Sequence, residues 1–391
     1  MKISKKNTIA LLTVIFATYF IVGFPDGAFT VSWYGISDDM SLTLIHAGYI
    51  LIGYSVTYTL AGVILSWLNR YMKLQVIYLI GLIIMGAGFI GLAFSQNFFL
   101  ATAAISLYGF GTGAMASSMN SYMAKHFTAR HNNWMHCFWG AGATLTPLIM
   151  GRMMYSHTWR EGYFVIVAIL GAAAVILCIS LYKKIWINED TNANISSATQ
   201  ENTTKKSYLK KRWHQVVEIM TFFFLGGTDY TLVFFMGAVL IERGFYAEEV
   251  ASFSAIYYVS MTVGRVFFGW VAKWIKEVPI IRIGAIIAAG GILLIYFTNS
   301  IFGMALTGFG LAPMLPTLVS DTSNRFAPQV VNKLVGYELA AFGAGIAVLF
   351  FATSFILEYI TLTALFPIGI TFIILVFLCN EILNRAVRHM R

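Results

Sequence analysis

Phe20-Ile21-Val22-Gly23-Phe24-Pro25-Asp26 returns later in the chain as Phe223-Phe224-Leu225-Gly226-Gly227-Thr228-Asp229, with Phe, Gly and Asp each displaced by 203 positions (229 − 26). The same offset runs through the next apolar segment. There Tyr54, Thr59, Trp67, Arg70 and Lys73 are matched by Tyr257, Thr262, Trp270, Lys273 and Lys276. A third match pairs Gly109-Phe110-Gly111, Met115, Ser121 and Phe127 with Gly308-Phe309-Gly310, Met314, Ser320 and Phe326, offset by 199 (308 − 109). A register held over two segments without insertion is not a chance event. The second half of the chain repeats the first.

Composition says where the two copies fold. Hydrophobic residues make up 58% of the 391 and charged residues 11%, well below the ~25% charged of a soluble domain. Crossing a bilayer as a helix takes about 20 apolar residues. Twelve such stretches lie between residues 8 and 384, the fifth at 132–155. Gly, Pro and aromatic residues are scattered through them, unlike the ~10-residue alternating segments of a membrane barrel. The expected fold is therefore an all-α membrane protein of 12 transmembrane helices. Residues 1–182 and 214–391 form two pseudo-symmetric six-helix bundles, and 183–213, rich in Asn, Thr and Ser and basic near its end, links them with a short surface helix there. Duplicated bundles of this kind are built by many secondary transporters, with the substrate site where the halves meet.

Lys and Arg gather in the even-numbered loops, the linker and both tails. The odd-numbered loops hold Arg152, Arg160 and Arg243. The bias places both termini on the cytoplasmic side of a plasma membrane. The net charge of +9 then reads as a topology signal and an attraction to anionic lipid, and no nucleic-acid partner is expected. Cys137, Cys178 and Cys379 are isolated, with no metal or disulfide spacing. No nucleotide-binding Gly-rich loop is present, and neither a cofactor nor a metal is expected.

Ionisable groups inside a bilayer are costly and mark function by default. Asp26 follows Pro25 and precedes Gly27, so it reads either as a protonatable, substrate-facing carboxylate beside a broken helix or as a cap for the freed amides. Asp229 is its symmetry mate, with a hydrogen bond to a neighbouring Tyr or Thr as the bland reading. Glu338 is either a further proton site or an ion pair with Lys333 or Arg325. His136 reads as a ligand to a hydroxyl-rich solute or as a structural hydrogen bond. Trp139 and Tyr257 suit stacking on a ring, and Asn120 is a ligand contact or interhelical glue. Several acids and no centrally placed Lys or Arg disfavour an anionic substrate.

Gly264-Arg265-Val266-Phe267-Phe268-Gly269 before a basic loop resembles the helix 8 to 9 signature of the major facilitator superfamily, and Trp67-Leu68-Asn69-Arg70 to Lys73 resembles a worn copy after helix 2. Three segments are similar to its fucose-permease-like branch: Gly23 to Trp33, Asn132 to Pro147, and Gly308 to Thr317. The resemblance implies proton-linked uptake of a hexose or 6-deoxyhexose by alternating access, with Gly264, Arg265 and Gly269 at the gate. It also implies acids on helices 1 and 4. The matching helix 4 position is Ala116, Asp229 stands where relatives carry Glu, and Gly343 to Val348 lacks a proline expected in helix 11.

The combined expectation is a monomeric transporter, not an enzyme, moving a small polar solute, a sugar, together with protons. Its substrate site is lined by Asp26, Asn120, His136, Trp139, Asp229, Tyr257 and Glu338, with Asp26, Asp229 and Glu338 carrying protons. The alternatives are a proton-driven exporter of cationic or amphipathic compounds and, changing class, a polytopic membrane enzyme or sensor.

Overall fold

The structure, a computed structural model, describes residues 5–25, 27–68, 71–127, 129–156, 158–187, 209 and 211–388. It is helical throughout these residues: α1 (Lys5–Gly23), α2 (Ala28–Asp39), α3 (Leu44–Leu68), α4 (Leu74–Ala93), α5 (Phe98–His126), α6 (Ala129–Ser156) and α7 (Trp159–Tyr182), then α8 (Arg212–Glu242), α9 (Ala247–Val271), α10 (Glu277–Thr298), α11 (Ile301–Leu311), α12 (Met314–Arg325), α13 (Pro328–Tyr359) and α14 (Leu365–Arg388). The surface helix expected in the linker lies outside the described residues.

Two crossings are made by paired helices. Between α1 and α2, Pro25 supplies no amide and Gly27 takes φ +79°, a conformation that favours glycine. The Thr146 hydroxyl of α6 donates to the Phe24 carbonyl freed by the break. Between α11 and α12 the interruption falls at Ala312-Pro313. The 199-residue offset puts Ala114 opposite Pro313, which is why α5 runs unbroken for 29 residues.

Among the described residues, eleven helical spans are long and apolar enough to cross a membrane. The twelfth crossing, α6, has the length but carries Arg130, His131, Asn132, Asn133, His136 and Arg152. It packs along α9 of the other bundle.

Glycines show the duplication in three dimensions. A Cβ at Gly23 would sit 2.1 Å from the Trp139 carbonyl oxygen and one at Gly142 1.9 Å from that of Phe20; Gly226 and Gly345 meet the Phe342 and Phe223 carbonyls at the same 2.1 and 1.9 Å. All four pairs obey the 203-residue offset. The α1–α6 and α8–α13 contacts are thus one packing solution used twice, with backbones close enough for Cα–H···O contacts. Gly81 with Gly111 and Gly284 with Gly310 repeat the pattern between α4 and α5 and between α10 and α11.

Both ends of the chain lie on one face of the bundles, the terminal side. On the opposite, far side, Phe29 and Trp33 of α2 meet Phe234 of α8 at 5.5 and 6.0 Å between ring centroids, and Tyr49 of α3 meets Phe351 of α13 at 4.9 Å. Leu44 N–H, at the start of α3, donates to Glu358 at 2.9 Å. The far-side arginines are occupied: Arg160 is ion-paired with Asp39, and Arg243 donates to Asn299 and lies over the Phe366 ring.

Candidate functional site

The break between α1 and α2 falls at the junction of the bundles. A Cβ at Gly27 would meet the Tyr258 ring of α9 at 3.0 Å and Pro147 of α6 at 3.1 Å. Asp26 itself lies outside the described residues. Beside Tyr258, Tyr257 is fully buried, and its hydroxyl donates to the Asp229 carboxylate of α8. The symmetry mate of Asp26 is therefore held by a tyrosine 28 residues away. A phenol donor both orients a carboxylate and lowers the cost of keeping it away from water.

Arg265 lies about two turns before the end of α9, and it points toward the first bundle. Its guanidinium lies 5.4 Å from the Trp139 ring centroid, a cation–π geometry across the bundle interface. Arg265 and Asp229 also line one small cavity, with Met261, Ala312, Leu315 and Phe342. Its volume of about 20 Å³ holds a water and not a sugar. This geometry corrects the sequence-based expectation of no central cation. The other two residues of the Gly-Arg segment differ from Arg265: Gly264 packs against Phe309 and Ala312 within its own bundle, and a Cβ at Gly269 would meet nothing within 4 Å.

On the first bundle, His136 Nε2 lies 3.3 Å from Asn120 Oδ1, and the Tyr19 ring stands edge-on to the imidazole at 6.1 Å. Asn120 Nδ2 donates at 2.9 Å to the carbonyl of Ala116, the position to which the resemblance assigns an acid. His136 and Asn120 are thus both interhelical partners of one another and half-buried polar groups. The structure brings together Trp139, Arg265, Asp229 and Tyr257 at the interface, and His136 with Asn120 within the first bundle.

Glu338 is elsewhere. It is fully buried inside the second bundle, its Oε1 2.9 Å from the hydroxyl of Thr322 on α12. Glu218 of α8 lies in the same cluster, about 16 Å along its helix from Asp229 at 1.5 Å per residue. Sequence reasoning passed over Glu218, Asp321, Thr322, Asn380 and Asn384. The one available signal was the Asp321–Arg325 spacing of four, which aligns the two on a helix face.

Replacing Arg265 with Ala removes the cation that bridges the bundles. Such a contact is worth about 0.5–2 kcal/mol, so turnover is expected to fall roughly 3- to 30-fold with a smaller change in substrate affinity. Parallel transport and binding measurements on the purified variant check this; equal losses in both would place Arg265 on the substrate alone.

A family model described as Major Facilitator Superfamily matches residues 15–337. No curated protein sequence matches. Among solved structures, the chain is similar to FucP, a transporter of that superfamily crystallised in the outward conformation, with a TM-score of 0.65 and 15% identity over 96% of this chain and 99% of that one. It is also similar to the nucleoside transporter NupG, with a TM-score of 0.72 and 11% identity over 96% and 99%. A third similar structure is a bacterial homolog of the human lysosomal transporter Spinster, inward-facing and occupied, with a TM-score of 0.71 and 14% identity over 98% of each chain.

Proposed function

The chain belongs to the major facilitator superfamily, as a multi-pass membrane transporter and not an enzyme, and from that premise we propose that it moves a small neutral polyhydroxylated solute, a sugar, together with protons by alternating access. One observation carries this reading: a carboxylate, Asp229, held by Tyr257 and lining one cavity with Arg265 of its own bundle, whose guanidinium reaches Trp139 of the other. A protonatable acid, an aromatic face and flanking polar groups are what a sugar ring needs for stacking and hydrogen bonding. The E. coli fucose:proton symporter FucP, similar at a TM-score of 0.63 and 13% identity over 96% of this chain and 98% of that one, is a protein of that kind.

Asp26, at the break in the first crossing, takes a proton from the far side and favours loading. The bundles then rock about the central site, and the solute leaves on the terminal side as the proton is lost. The Lys and Arg bias makes the terminal side cytoplasmic, so the closed far side corresponds to an inward-facing form in the plasma membrane. Arg265 bears on the competing reading. A guanidinium at the same depth as Asp229 repels cationic cargo in a low dielectric, which weighs against an exporter of organic cations.

The test is a proteoliposome assay with an imposed pH gradient and a panel of sugars, nucleosides and organic cations. Accumulation of a sugar driven by an acidic exterior is expected. Gradient-driven extrusion of an organic cation with no sugar uptake would overturn the reading.

A further inference from the structure

At the terminal end of the second bundle, four helices bury a cluster of charge that the central site does not use. Arg325 of α12, 2% exposed, stands among Glu218 of α8, Asp321 on its own helix, and Asn380 and Asn384 of α14. Both terminal nitrogens of its guanidinium are engaged, while its Nε has no hydrogen-bond partner. One terminal nitrogen donates to both Glu218 oxygens, at 3.3 and 2.9 Å. The other donates to the side-chain oxygens of Asn380 and, at 2.9 Å, Asn384, and lies 2.6 Å from Asp321. Glu338 of α13, fully buried, receives none of them.

What Glu338 has is Thr322. The Thr322 hydroxyl oxygen lies 2.9 Å from Glu338 Oε1, 3.3 Å from Glu218 Oε1 and 3.1 Å from the Leu318 carbonyl oxygen. A hydroxyl has one hydrogen to give and two lone pairs to receive. A neutral Glu338 can donate to a Thr322 lone pair and leave the Thr322 hydrogen for the Leu318 carbonyl, whereas an ionised Glu338 competes with that carbonyl and Glu218 for the one hydrogen. Charge counting agrees. Three ionised acids against one arginine would leave two uncompensated negative charges in a buried site, which groups avoid by binding a proton. The second oxygen of Glu338 has no partner, as suits a neutral acid better than an ion.

We propose that Glu338 holds a proton of its own, as a neutral carboxylic acid donating to Thr322, and that this makes the terminal end of the second bundle a proton-binding site separate from the central one. The groups that act on it are Thr322 and Arg325 on α12 and Glu218 on α8, with Asp321, Asn380 and Asn384 gathered on the same Arg325 and Cys379 of α14 beside Glu218. Glu277 of α10 lies on the other flank of α12, where it accepts from Ser320 and Asn324. The residues flanking Glu338, Tyr337 and Leu339, are half-exposed, at 49% and 51%, so the proton sits one helix position from the surface of the bundle. Loss of that proton sets a further carboxylate beside Glu218 and Asp321 around one guanidinium whose terminal nitrogens are already committed, and drives α13 from α12. The proton thus acts as a clasp between those two helices.

Infrared spectroscopy of the full chain in lipid nanodiscs at neutral pH tests this without any transport substrate, since the carbonyl stretch of a neutral acid is distinct from the carboxylate bands. Glu338→Gln, the isosteric copy of the neutral acid, should fold with an unchanged melting temperature and lose one acid band. Thr322→Val should shift that band by removing its hydrogen-bond acceptor, and Asp229→Asn should leave it in place. An unchanged spectrum in Glu338→Gln, a failure of that variant to fold, or a band insensitive to Thr322→Val would each overturn the inference. None of these outcomes depends on whether the cargo is a sugar.

Discussion

Asp26→Asn is expected to abolish accumulation of substrate driven by a pH gradient while leaving gradient-free exchange in place. Asparagine has the shape and donor capacity of the protonated acid, so the variant is fixed in its loaded-proton form: it binds, shuttles and exchanges substrate, but it has no proton to release. Asp229→Asn is expected to behave differently. Asp229 is the acceptor for a fully buried tyrosine hydroxyl and lines a cavity with Arg265. An amide there keeps an acceptor for Tyr257 and loses the negative charge facing the guanidinium. A hydrogen bond to a charged group is worth about 1.5–3 kcal/mol, so binding should weaken by roughly 10- to 150-fold. Uptake under a pH gradient, measured beside counterflow in the same liposomes, separates the two. Retained accumulation in Asp26→Asn would move the coupling proton to Asp229.

The second large effect is on folding. Gly142→Leu or Gly345→Leu should prevent assembly of the bundle in which each lies, because the added carbon would stand 1.9 Å from a backbone carbonyl oxygen. Overpacking a core costs about 1–3 kcal/mol when side chains can yield, and here the obstacle is main chain, which cannot turn aside. Gly171→Leu is the control, since nothing lies within 4 Å of a Cβ there and leaving glycine raises helix propensity. Size-exclusion profiles and melting temperatures of the detergent-purified variants check this. A monodisperse, thermally normal Gly142→Leu or Gly345→Leu protein would refute it.

The two-fold repeat was legible because it rests on residues that backbone proximity allows no substitute for. Gly23 and Gly226 recur because Trp139 and Phe342 carbonyls press on them. The break in the first crossing was legible for a related reason, since Pro25 and Gly27 act on their own backbone. Polarity is less local. The α6 helix read as one more crossing, and the sequence does not say that it runs along α9 of the other bundle. Arg265 read as a residue of the gate before a basic loop; that it reaches Trp139 of the other bundle and shares a cavity with Asp229 is set by tertiary structure. The Glu218–Arg325 ion pair spans 107 positions, and a lone Glu in an apolar run carries no mark of the partner that neutralises it. Asp229 and Tyr257 were each visible as candidates; that one holds the other is a fact of tertiary structure.

The aromatic closure of the far side has a thermal consequence. Phe29 and Trp33 pack on Phe234, and Tyr49 on Phe351, and parting them wets apolar surface, which raises heat capacity. Attraction of this kind weakens on cooling. The balance between closed and open far-side forms is therefore a curved function of temperature, tilting toward opening in the cold, and an Arrhenius plot of the full transport cycle bends even where every chemical step obeys a single activation enthalpy.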